Sequence, residues 1–267
     1  MTRRRVKSWG GVPVAELQDR WGRESVHVYG DIDSTMDAAR DLAAAGAPGG
    51  AIVMSRGQSA GRGRAEARFH SPRDAGVYLT MIFRPEGDWV RSPVTILAGL
   101  GVATELRRAF PDLAPRLKWP NDLIVRDRKL GGILAETMAG DDGADVLLIG
   151  VGVNLDTEHL PADLQGRVVG VRELCEAAPV DVADAMIRGL ERWLPDPPEA
   201  LSEEQLDELD RLDWLKNQRI ALVGPDHDPV PGRSAGLAPD GALLFRPDRG
   251  ALRRVNSGSV EVLEETS

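Results

Sequence analysis

The segment best suited to binding an anion is rich in arginine and glycine. Between Arg56 and Arg73 it holds five arginines and one acid, Glu66, so it carries about four net positive charges in a chain whose formal net charge is −9. Its glycines and its lack of an apolar run predict a loop rather than a helix or strand. Arginine forks match phosphate and carboxylate oxygens, and glycines let backbone N–H groups approach them. Taken alone, the segment fits an anion-binding loop and a solvated basic loop equally well.

Two further motifs favour anion binding. They are Lys118-Trp119-Pro120-Asn121-Asp122 and Lys129-Leu130-Gly131-Gly132-Ile133-Leu134. Lys129 joins Arg62 and Arg64 as a handle for phosphate or carboxylate, and Lys118 and Asp122 are close to it in sequence. No side chain stands out as a covalent nucleophile. Cations without a nucleophile suit direct transfer between two bound substrates, in which the protein supplies positioning and charge stabilisation.

A third polar cluster precedes a helix. Ser34 comes before apolar residues at helical spacing and, with Asp37 three positions later, forms an acidic variant of a capping box. The motif fits a plain helix cap, although hydroxyl and N–H groups at a helix start also hold polar ligands. Ser34, Thr35 and Gln58 together offer neutral hydrogen-bonding groups suited to an uncharged polar head.

Composition narrows the class of protein. The net charge of −9 argues against nonspecific nucleic-acid binding, and no apolar run approaches the roughly 20 residues that span a bilayer. The basic N-terminus is not followed by an apolar signal core, so a cytoplasmic location is expected. Cys175 is the only cysteine, which excludes an internal disulfide and a cysteine-based zinc site. The four histidines are scattered, so a metal would be a hard cation on oxygen ligands, and Mg²⁺ is the expected one.

Hydrophobic periodicity predicts a mixed α/β chain in two domains. Helices are expected over 12–21, after Ser34, and over 92–110 (capped by Ser92), 182–194 and 202–215, and strands over 26–29, 51–54, 77–83, 117–125, 129–138 and 146–155. Pro120 implies a bend or a sheet edge within 117–125. Glycines within 146–155 imply that a ligand or another backbone approaches closely. From Gln218 onward, short alternating runs between turns predict a small β-barrel, which places a catalytic domain at 1–217 and the barrel at 218–267.

In their order and spacing these motifs resemble the bacterial biotin protein ligases. The resemblance rests on Gln58 to Arg64, on the two lysine motifs and on Gly150-Val151-Gly152-Val153-Asn154-Leu155, and it covers roughly residues 25 to 263. It implies an α+β fold like that of class II synthetases, with a mostly antiparallel sheet, helices packed on it and a C-terminal SH3-like β-barrel.

The resemblance also implies a two-step reaction. Biotin and MgATP give biotinyl-5′-AMP and pyrophosphate, and the biotinyl group then passes to a lysine of the biotin carboxyl carrier domain of acetyl-CoA carboxylase or a related carboxylase. Lys129, Arg64 and Asp122 would be the catalytic residues. Asp122 would also meet Mg²⁺ and orient the acceptor lysine.

Binding roles follow in the same way. Biotin would contact Ser34, Thr35, Met36, Gln58, Arg62, Gly63, Arg64 and Lys129. The nucleotide would contact Lys118, Asn121, Asn154 and Phe69.

The arginine–glycine segment departs from the family pattern after Arg64. The family continues Arg-x-Gly-Arg-x-Trp, whereas this chain has Glu66, Ala67 and Phe69 in place of the glycine, arginine and tryptophan. The change removes one phosphate partner and narrows one aromatic wall, although Arg68 stands one place along as a substitute. We therefore expect intact biotin binding and weaker retention of the adenylate.

Two other functions stay open. A lipoate or octanoate ligase shares the broad fold, and a noncatalytic biotin-binding module would explain the altered segment. The 33 residues before Ser34 are fewer than a DNA-binding domain and linker need, so no DNA binding is expected. A homodimer is compatible with the resemblance, but no residue here decides it.

Overall fold

The computed structural model describes residues 3–64, 67–86, 89, 93–140, 145–224 and 227–263. Within these ranges the strands are β1 (Ser8–Trp9), β2 (Val12–Pro13), β3 (Val26–Ile32), β4 (Ile52–Gln58), β5 (Gly76–Phe83), β6 (Arg116–Lys118), β7 (Asp122–Val125), β8 (Arg128–Ala139), β9 (Asp145–Asn154), β10 (Arg219–Gly224), β11 (His227–Leu237), β12 (Leu243–Pro247), β13 (Arg253–Val255) and β14 (Ser259–Val262). The helices are α1 (Val14–Trp21), α2 (Thr35–Ala44), α3 (Val94–Ala109), α4 (Pro179–Glu191) and α5 (Glu203–Leu212).

A seven-stranded sheet carries the larger part of the chain. Its strand order is β3-β4-β5-β9-β8-β7-β6, and only the β3–β4 pair is parallel. This confirms the mostly antiparallel sheet. The bend expected at Pro120 is the turn between β6 and β7, and β6 is an edge strand, as the proline indicates. The opposite edge, β3, is bridged by an N-terminal segment, in which Val6 N donates to Val28 O at 2.9 Å.

Alternation along the strands separates two apolar layers. On β9, Leu147 and Ile149 face the larger core, which α3 and α4 cover, whereas Val146 and Leu148 face a smaller core beneath α2. Helices α3 and α4 pack closely because glycines face each other. A Cβ on Gly101 would lie 2.0 Å from the carbonyl oxygen of Gly189, so neither position has room for a side chain.

Several element boundaries differ from the sequence-based prediction. Helix α1 begins at Val14, not at residue 12, because Val12 pairs with Trp9 in a short hairpin. Helix α4 begins at Pro179, where a proline suits the first helical turn, and ends at Glu191. Pro93 stands at the start of α3, and the predicted Ser92 cap lies outside the described residues.

Helices α2 and α5 are both capped by a serine side chain, at Ser34 and Ser202. Ser34 Oγ accepts from Met36 N at 3.2 Å, so Ser34 is the cap of α2. Asp37 does not close the expected box, because its carboxylate pairs with Arg40 and Arg62. Ser202 does head a complete capping box in α5.

The C-terminal part forms a separate five-stranded antiparallel sheet. Its order is β13-β12-β11-β10-β14, and β10 begins two residues after the predicted boundary near Asn217. Closure into a barrel and the division at residue 217 stay predictions. Of the described helices the longest, α3, has 16 residues, and none has the length and apolar character needed to cross a membrane.

Candidate functional site

A cavity of about 580 Å³ lies where the large sheet, the arginine–glycine segment and the C-terminal sheet meet. Twelve of the predicted site residues line it: Ser34, Thr35, Met36, Gln58, Arg62, Gly63, Arg64, Phe69, Lys118, Asn121, Asp122 and Lys129. The C-terminal sheet contributes Val223 and the turn 257–260. The motifs that are separated in sequence therefore converge on one space.

One end of the cavity is a neutral hydrogen-bonding cluster. Gln58 Oε1 accepts from Thr35 N at 2.8 Å and from Thr35 Oγ1 at 3.1 Å. Thr80 Oγ1 donates to Thr35 Oγ1 at 3.0 Å, and Gln58 Nε2 donates to Ser71 Oγ at 2.8 Å. Sequence reasoning missed Thr80 and Ser71. Thr80 is the one hydroxyl residue within the apolar run of β5 apart from Tyr78, and this polar residue in an apolar strand could have indicated a site.

The arginine–glycine segment folds into a small hairpin, here called the loop hairpin (residues 61–64 and 67–69). Gly63 N donates to Ala67 O at 2.7 Å and Phe69 N donates to Gly61 O at 2.9 Å. The predicted departure at Glu66 lies outside the described residues. Gly61 is required because a Cβ there would stand 2.4 Å from Phe69 O. The hairpin forms one wall of the cavity.

The two loop arginines point to different partners. Arg64 reaches across the cavity, where its Nη1 donates to Gly258 O at 3.3 Å, and burial lowers the pKa of its guanidinium while Asp122 opposes that shift. Arg62 lies at the rim, where its guanidinium pairs with Asp37 at 2.6 Å and with Glu136 at 3.4 Å. Arg64 is therefore the more enclosed of the two cations.

Arg40 completes a four-membered network at this rim. It pairs with Asp37 at 2.9 Å and also with Glu136, so two arginines alternate with two carboxylates. The network joins α2, β8 and the loop hairpin. Sequence reasoning did not identify Arg40 or Glu136, because their meeting depends on how the helix packs on the sheet.

Lys129 and Asp122 form an ion pair inside the cavity. Lys129 Nζ lies 2.6 Å from Asp122 Oδ1, although the two residues are not cross-strand partners. Asp122 faces Gly132 instead, and a register shift between Leu123 and Ile124 separates the positions. A Cβ on Gly132 would come within 3.6 Å of both Asp122 Oδ1 and Lys129 Nζ, so the glycine leaves the charged pair open to the cavity.

The β6–β7 turn brings a second lysine to the same space. Lys118 Nζ lies 5.7 Å from the ring centroid of Trp214, and Trp119 Nε1 anchors the turn by donating to Gly241 O at 3.1 Å. Burial lowers the pKa of Lys118, and the nearby Asp122 opposes that shift. Asn121 lines the cavity, while its Nδ2 donates to Ile133 O at 2.8 Å.

An aromatic wall lies against β9. Phe69 and Tyr78 meet edge to face at 6.4 Å, and the Phe69 ring covers Gly152, where a Cβ would stand 2.5 Å from Phe69 Cε1. A Cβ on Gly150 would stand 2.9 Å from Met36 Cε. The close approach expected at these glycines is therefore made by side chains that line the cavity. Tyr78 also lines the cavity and was missed, because its position in an apolar strand resembled a core residue.

Two other predicted positions lie outside the cavity. Asn154 is buried at the end of β9 opposite Gly76 and does not line the cavity, so its position does not support the expected contact with a nucleotide. Cys175 is half-buried against the main core and also lies away from the cavity. In the described ranges no group of three or more His, Cys, Asp or Glu side chains is arranged to hold a metal ion.

Comparison with known proteins gives consistent matches. Residues 29–154 match the model of the biotin/lipoate A/B protein ligase family. The chain is 31% identical over 227 residues to the bifunctional ligase/repressor BirA of Escherichia coli, a match covering 84% of this chain and 70% of that protein. It is 35% identical over 142 residues to BirA of Bacillus spizizenii, covering 52% of this chain but only 43% of the relative.

A solved structure shares the fold. Biotin protein ligase from Aquifex aeolicus, in complex with biotin and ATP, superposes with a TM-score of 0.71 at 20% identity, covering 91% of this chain and 100% of that one. From the family match and the Escherichia coli relative, the chain belongs to the biotin/lipoate A/B protein ligase family, and within it to the biotin protein ligases.

Proposed function

We propose that this protein activates biotin with ATP, giving biotinyl-5′-AMP and pyrophosphate, and then transfers the biotinyl group to a lysine of a carrier protein. The observation that carries the proposal is one cavity that holds both kinds of group: the neutral Gln58 lies on β4, and Lys129 and Lys118 lie on β8 and β6 further across the same sheet. Such a space suits a molecule with an uncharged polar head and a carboxylate tail next to a nucleotide. The names of the relatives point to the same chemistry.

The head of biotin fits the cluster around Gln58. A ureido group presents one carbonyl acceptor and two N–H donors, and the hydroxyls of Ser34 and Thr35 can serve either role. Gln58 is already oriented by Thr35 and Ser71, so its amide is preorganised. Met36, packed against Gly150, supplies an apolar contact for the ring sulfur and chain.

Lys129 is the group that lowers the barrier to adenylation. An oxygen of the biotin carboxylate attacks the α-phosphorus, a new C–O–P link forms, and the bond to pyrophosphate breaks. Two anions approach each other in this step, and a fixed ammonium between them stabilises the accumulating charge. Because Lys129 is paired with Asp122 at 2.6 Å, its ammonium must exchange that partner, or share it, when substrates bind.

The nucleotide lies along the remaining walls. Arg64 and Lys118 approach its phosphates, and Arg62 and Gly63 close the loop hairpin over biotin. Phe69 offers a ring against the base or ribose, and Asn121 lies on the same side. The contact of Asn154 with the nucleotide stays a prediction, because this residue does not line the cavity.

Asp122 is the candidate contact for Mg²⁺. Magnesium sites that act on nucleotides use one or two carboxylates, with phosphate oxygens and water supplying the other ligands. Among the described residues that line the cavity, Asp122 is the one with a carboxylate, which fits that pattern. When bound, the ion would neutralise phosphate charge.

Transfer needs a deprotonated acceptor lysine. Its nitrogen attacks the acyl carbon, an amide forms and AMP leaves with the electrons of the acyl–oxygen bond. A lysine is mostly protonated at neutral pH, so its proton must go to a base or to water first. Asp122 orients the incoming ammonium once Lys129 has moved to the substrates.

The wider setting is also part of the proposal. The acceptor is the biotin carboxyl carrier domain of acetyl-CoA carboxylase or a related carboxylase, in the cytoplasm. Residues 1–217 form the catalytic domain, and residues 218–267 form a small barrel that contributes the turn 257–260 to the cavity. A homodimer stays a prediction of the resemblance, and light scattering measures it directly.

The test is transfer of labelled biotin to a purified carrier domain in the presence of ATP and Mg²⁺. We expect transfer by the wild-type chain and loss with Lys129→Ala. Lys216→Ala is the matched control, because Lys216 pairs with Asp210 away from the cavity. Lipoate and octanoate replace biotin in parallel reactions. Pyrophosphate release with lipoate or octanoate, and not with biotin, would overturn the proposal in favour of a lipoate or octanoate ligase. Biotin binding without pyrophosphate would favour a noncatalytic module.

A further inference from the structure

The two cavity lysines are held by different kinds of partner. Lys129 is paired with the carboxylate of Asp122 at 2.6 Å, so much of its charge is already neutralised. Lys118 lies over the face of Trp214 at 5.7 Å from the ring centroid. Among the described residues no carboxylate lies within 4.0 Å of Lys118 Nζ. An aromatic face attracts a cation without cancelling its charge.

Trp214 is itself fixed from several directions. Its indole Nε1 donates to Asp127 Oδ1 at 2.8 Å, and its backbone N donates to Leu117 O at 2.8 Å. The side chain is 9% exposed. In sequence it lies between α5 and β10, far from every motif that the sequence analysis singled out. The ring is therefore a rigid platform, and the flexible lysine is the group that it restricts.

We propose that Trp214 is a positioning residue, whose ring holds the Lys118 ammonium in the cavity as an un-neutralised cation for a nucleotide phosphate. Lys118 has four rotatable side-chain bonds, and fixing it in advance removes an entropy cost from binding. An acidic partner would fix it equally well but would have to be displaced by the phosphate. The proposal rests on the proposed function, because the phosphate is that of ATP.

The affinity of the full chain for ATP, measured by calorimetry, tests the effect on binding. The variants are Trp214→Leu, which removes the π face, and Trp214→Phe, which keeps a weaker one. We expect roughly five- to tenfold weaker ATP binding with leucine, a smaller loss with phenylalanine and unchanged biotin binding. Trp193→Leu is the matched control, since Trp193 also stacks with a cation, Arg192 at 4.9 Å, outside the cavity. Equal losses with leucine and phenylalanine, or losses for biotin as well, would overturn the proposal.

A spectroscopic measurement tests the position of Lys118 without relying on activity. The chain has only four lysines, Lys7, Lys118, Lys129 and Lys216, so side-chain NMR with ¹³Cε-lysine gives few signals. The ring current of Trp214 should displace the Lys118 Hε signals, and Trp214→Leu should abolish the displacement. A pH titration reads the charge in the same samples. Asp122, Lys129, Glu261 and Arg167 also act on Lys118, and they are unchanged in the variant.

Without the ring the pKa of Lys118 should fall further, because the buried cation loses its stabilising partner. An undisplaced Hε signal in the wild-type chain would overturn the positioning role. If the wild-type chain binds no ATP, the proposed function fails and the phosphate is not the anion, while the ring-current shift still decides whether Trp214 holds Lys118.

Discussion

The loop hairpin and the strand segment β6–β8 both bring positive charge to the cavity, but they are built differently. Arg62 at the rim of the hairpin is held by ion pairs with partly exposed carboxylates, and Arg64 has one long hydrogen bond to a carbonyl. Lys118 and Lys129 are carried by ladder-paired strands, and each has one well-defined partner. Exposed ion pairs contribute only about 0–1 kcal/mol each, whereas a strand ladder fixes the backbone itself.

This difference indicates that the strands and the hairpin have different roles. The strands supply charge at fixed positions, as electrostatic stabilisation of a transition state requires. The hairpin is attached to its neighbours by weaker side-chain contacts, so we expect it to open at a lower free-energy cost than the strands, as a site with two substrates and one retained intermediate requires.

Lys129→Ala should reduce the rate of biotin-dependent pyrophosphate release about 100- to 1000-fold, because the approaching carboxylate and phosphate lose their shared cation. Single-turnover kinetics with saturating substrates measure this. Asp122→Asn keeps the ammonium of Lys129 and removes the candidate Mg²⁺ contact, so it should reduce this rate less than Lys129→Ala does. If the alanine variant retained more than a tenth of the wild-type rate, the strand segment would not be the source of the fixed charge.

Gly152→Ala should weaken ATP binding between about fivefold and 100-fold, which corresponds to the roughly 1–3 kcal/mol typical of overpacking. The new Cβ would stand 2.5 Å from Phe69 Cε1, so the ring must leave the wall that joins the hairpin to β9. Gly30→Ala is the control, because a Cβ there meets nothing closer than 3.7 Å. Equal ATP affinity in both variants would show that the Phe69 wall is not part of the nucleotide site.

Ala67→Arg should slow the release of biotinyl-AMP about three- to tenfold, because it restores a charge-assisted partner at the exposed tip of the hairpin. Stopped-flow or filter-binding release of the labelled adenylate measures the rate. Ala67→Gln adds similar bulk without charge and should change little. Identical release from all three proteins would mean that the altered hairpin is not what sets adenylate retention.

Lys118→Met should weaken ATP binding, because the phosphate loses this cation. It should also raise the free energy of unfolding of the ligand-free protein at pH 7. The rise should be less than about 1 kcal/mol, because the lysine keeps partial contact with water. Burial lowers the pKa of Lys118, so the unfolded chain binds the proton more tightly than the folded one. The wild-type free energy of unfolding therefore rises with pH between that lowered pKa and the ordinary lysine value. Urea unfolding at pH 7 and 10 should show this rise in the wild type and not in the variant. The opposite slope would refute it.

Asp37→Asn with Glu136→Gln should loosen the hairpin, with tryptic cleavage at its arginines about two- to fivefold faster and the difference shrinking at high salt. Asp74→Asn, which breaks the separate Arg56–Asp74 pair, is the matched control. Unchanged cleavage would show that the rim network does not hold the hairpin.

Sequence reasoning predicted most of the cavity but not the way its parts interact. Gln58, the two lysine motifs and the arginine–glycine segment each carry a local pattern of residue types, and these positions converge as expected. Thr80, Tyr78 and Trp214 were missed, because each lies in a stretch whose pattern indicates only burial. Their roles depend on which strands become neighbours, as in the β5–β9 pairing, and on where the chain returns after α5.

Asn154 shows that a motif does not decide which way a side chain faces. The motif places Asn154 close to Gly150 and Gly152 on β9, and those two glycines do face side chains that line the cavity. Asn154 itself is buried opposite Gly76 outside the cavity. A motif therefore predicted the region of the chain, while the side of the sheet that each residue faces came only from the pairing register.

The most direct test of the central claim is a crystal structure of the chain with biotin and a nonhydrolysable ATP analogue. The account predicts that Lys129 Nζ leaves Asp122 and lies within hydrogen-bonding distance of both the biotin carboxylate and the α-phosphate, with the biotin head at Gln58. The account is contradicted if both ligands bind elsewhere, or bind in the cavity while Lys129 stays on Asp122 and touches neither of them.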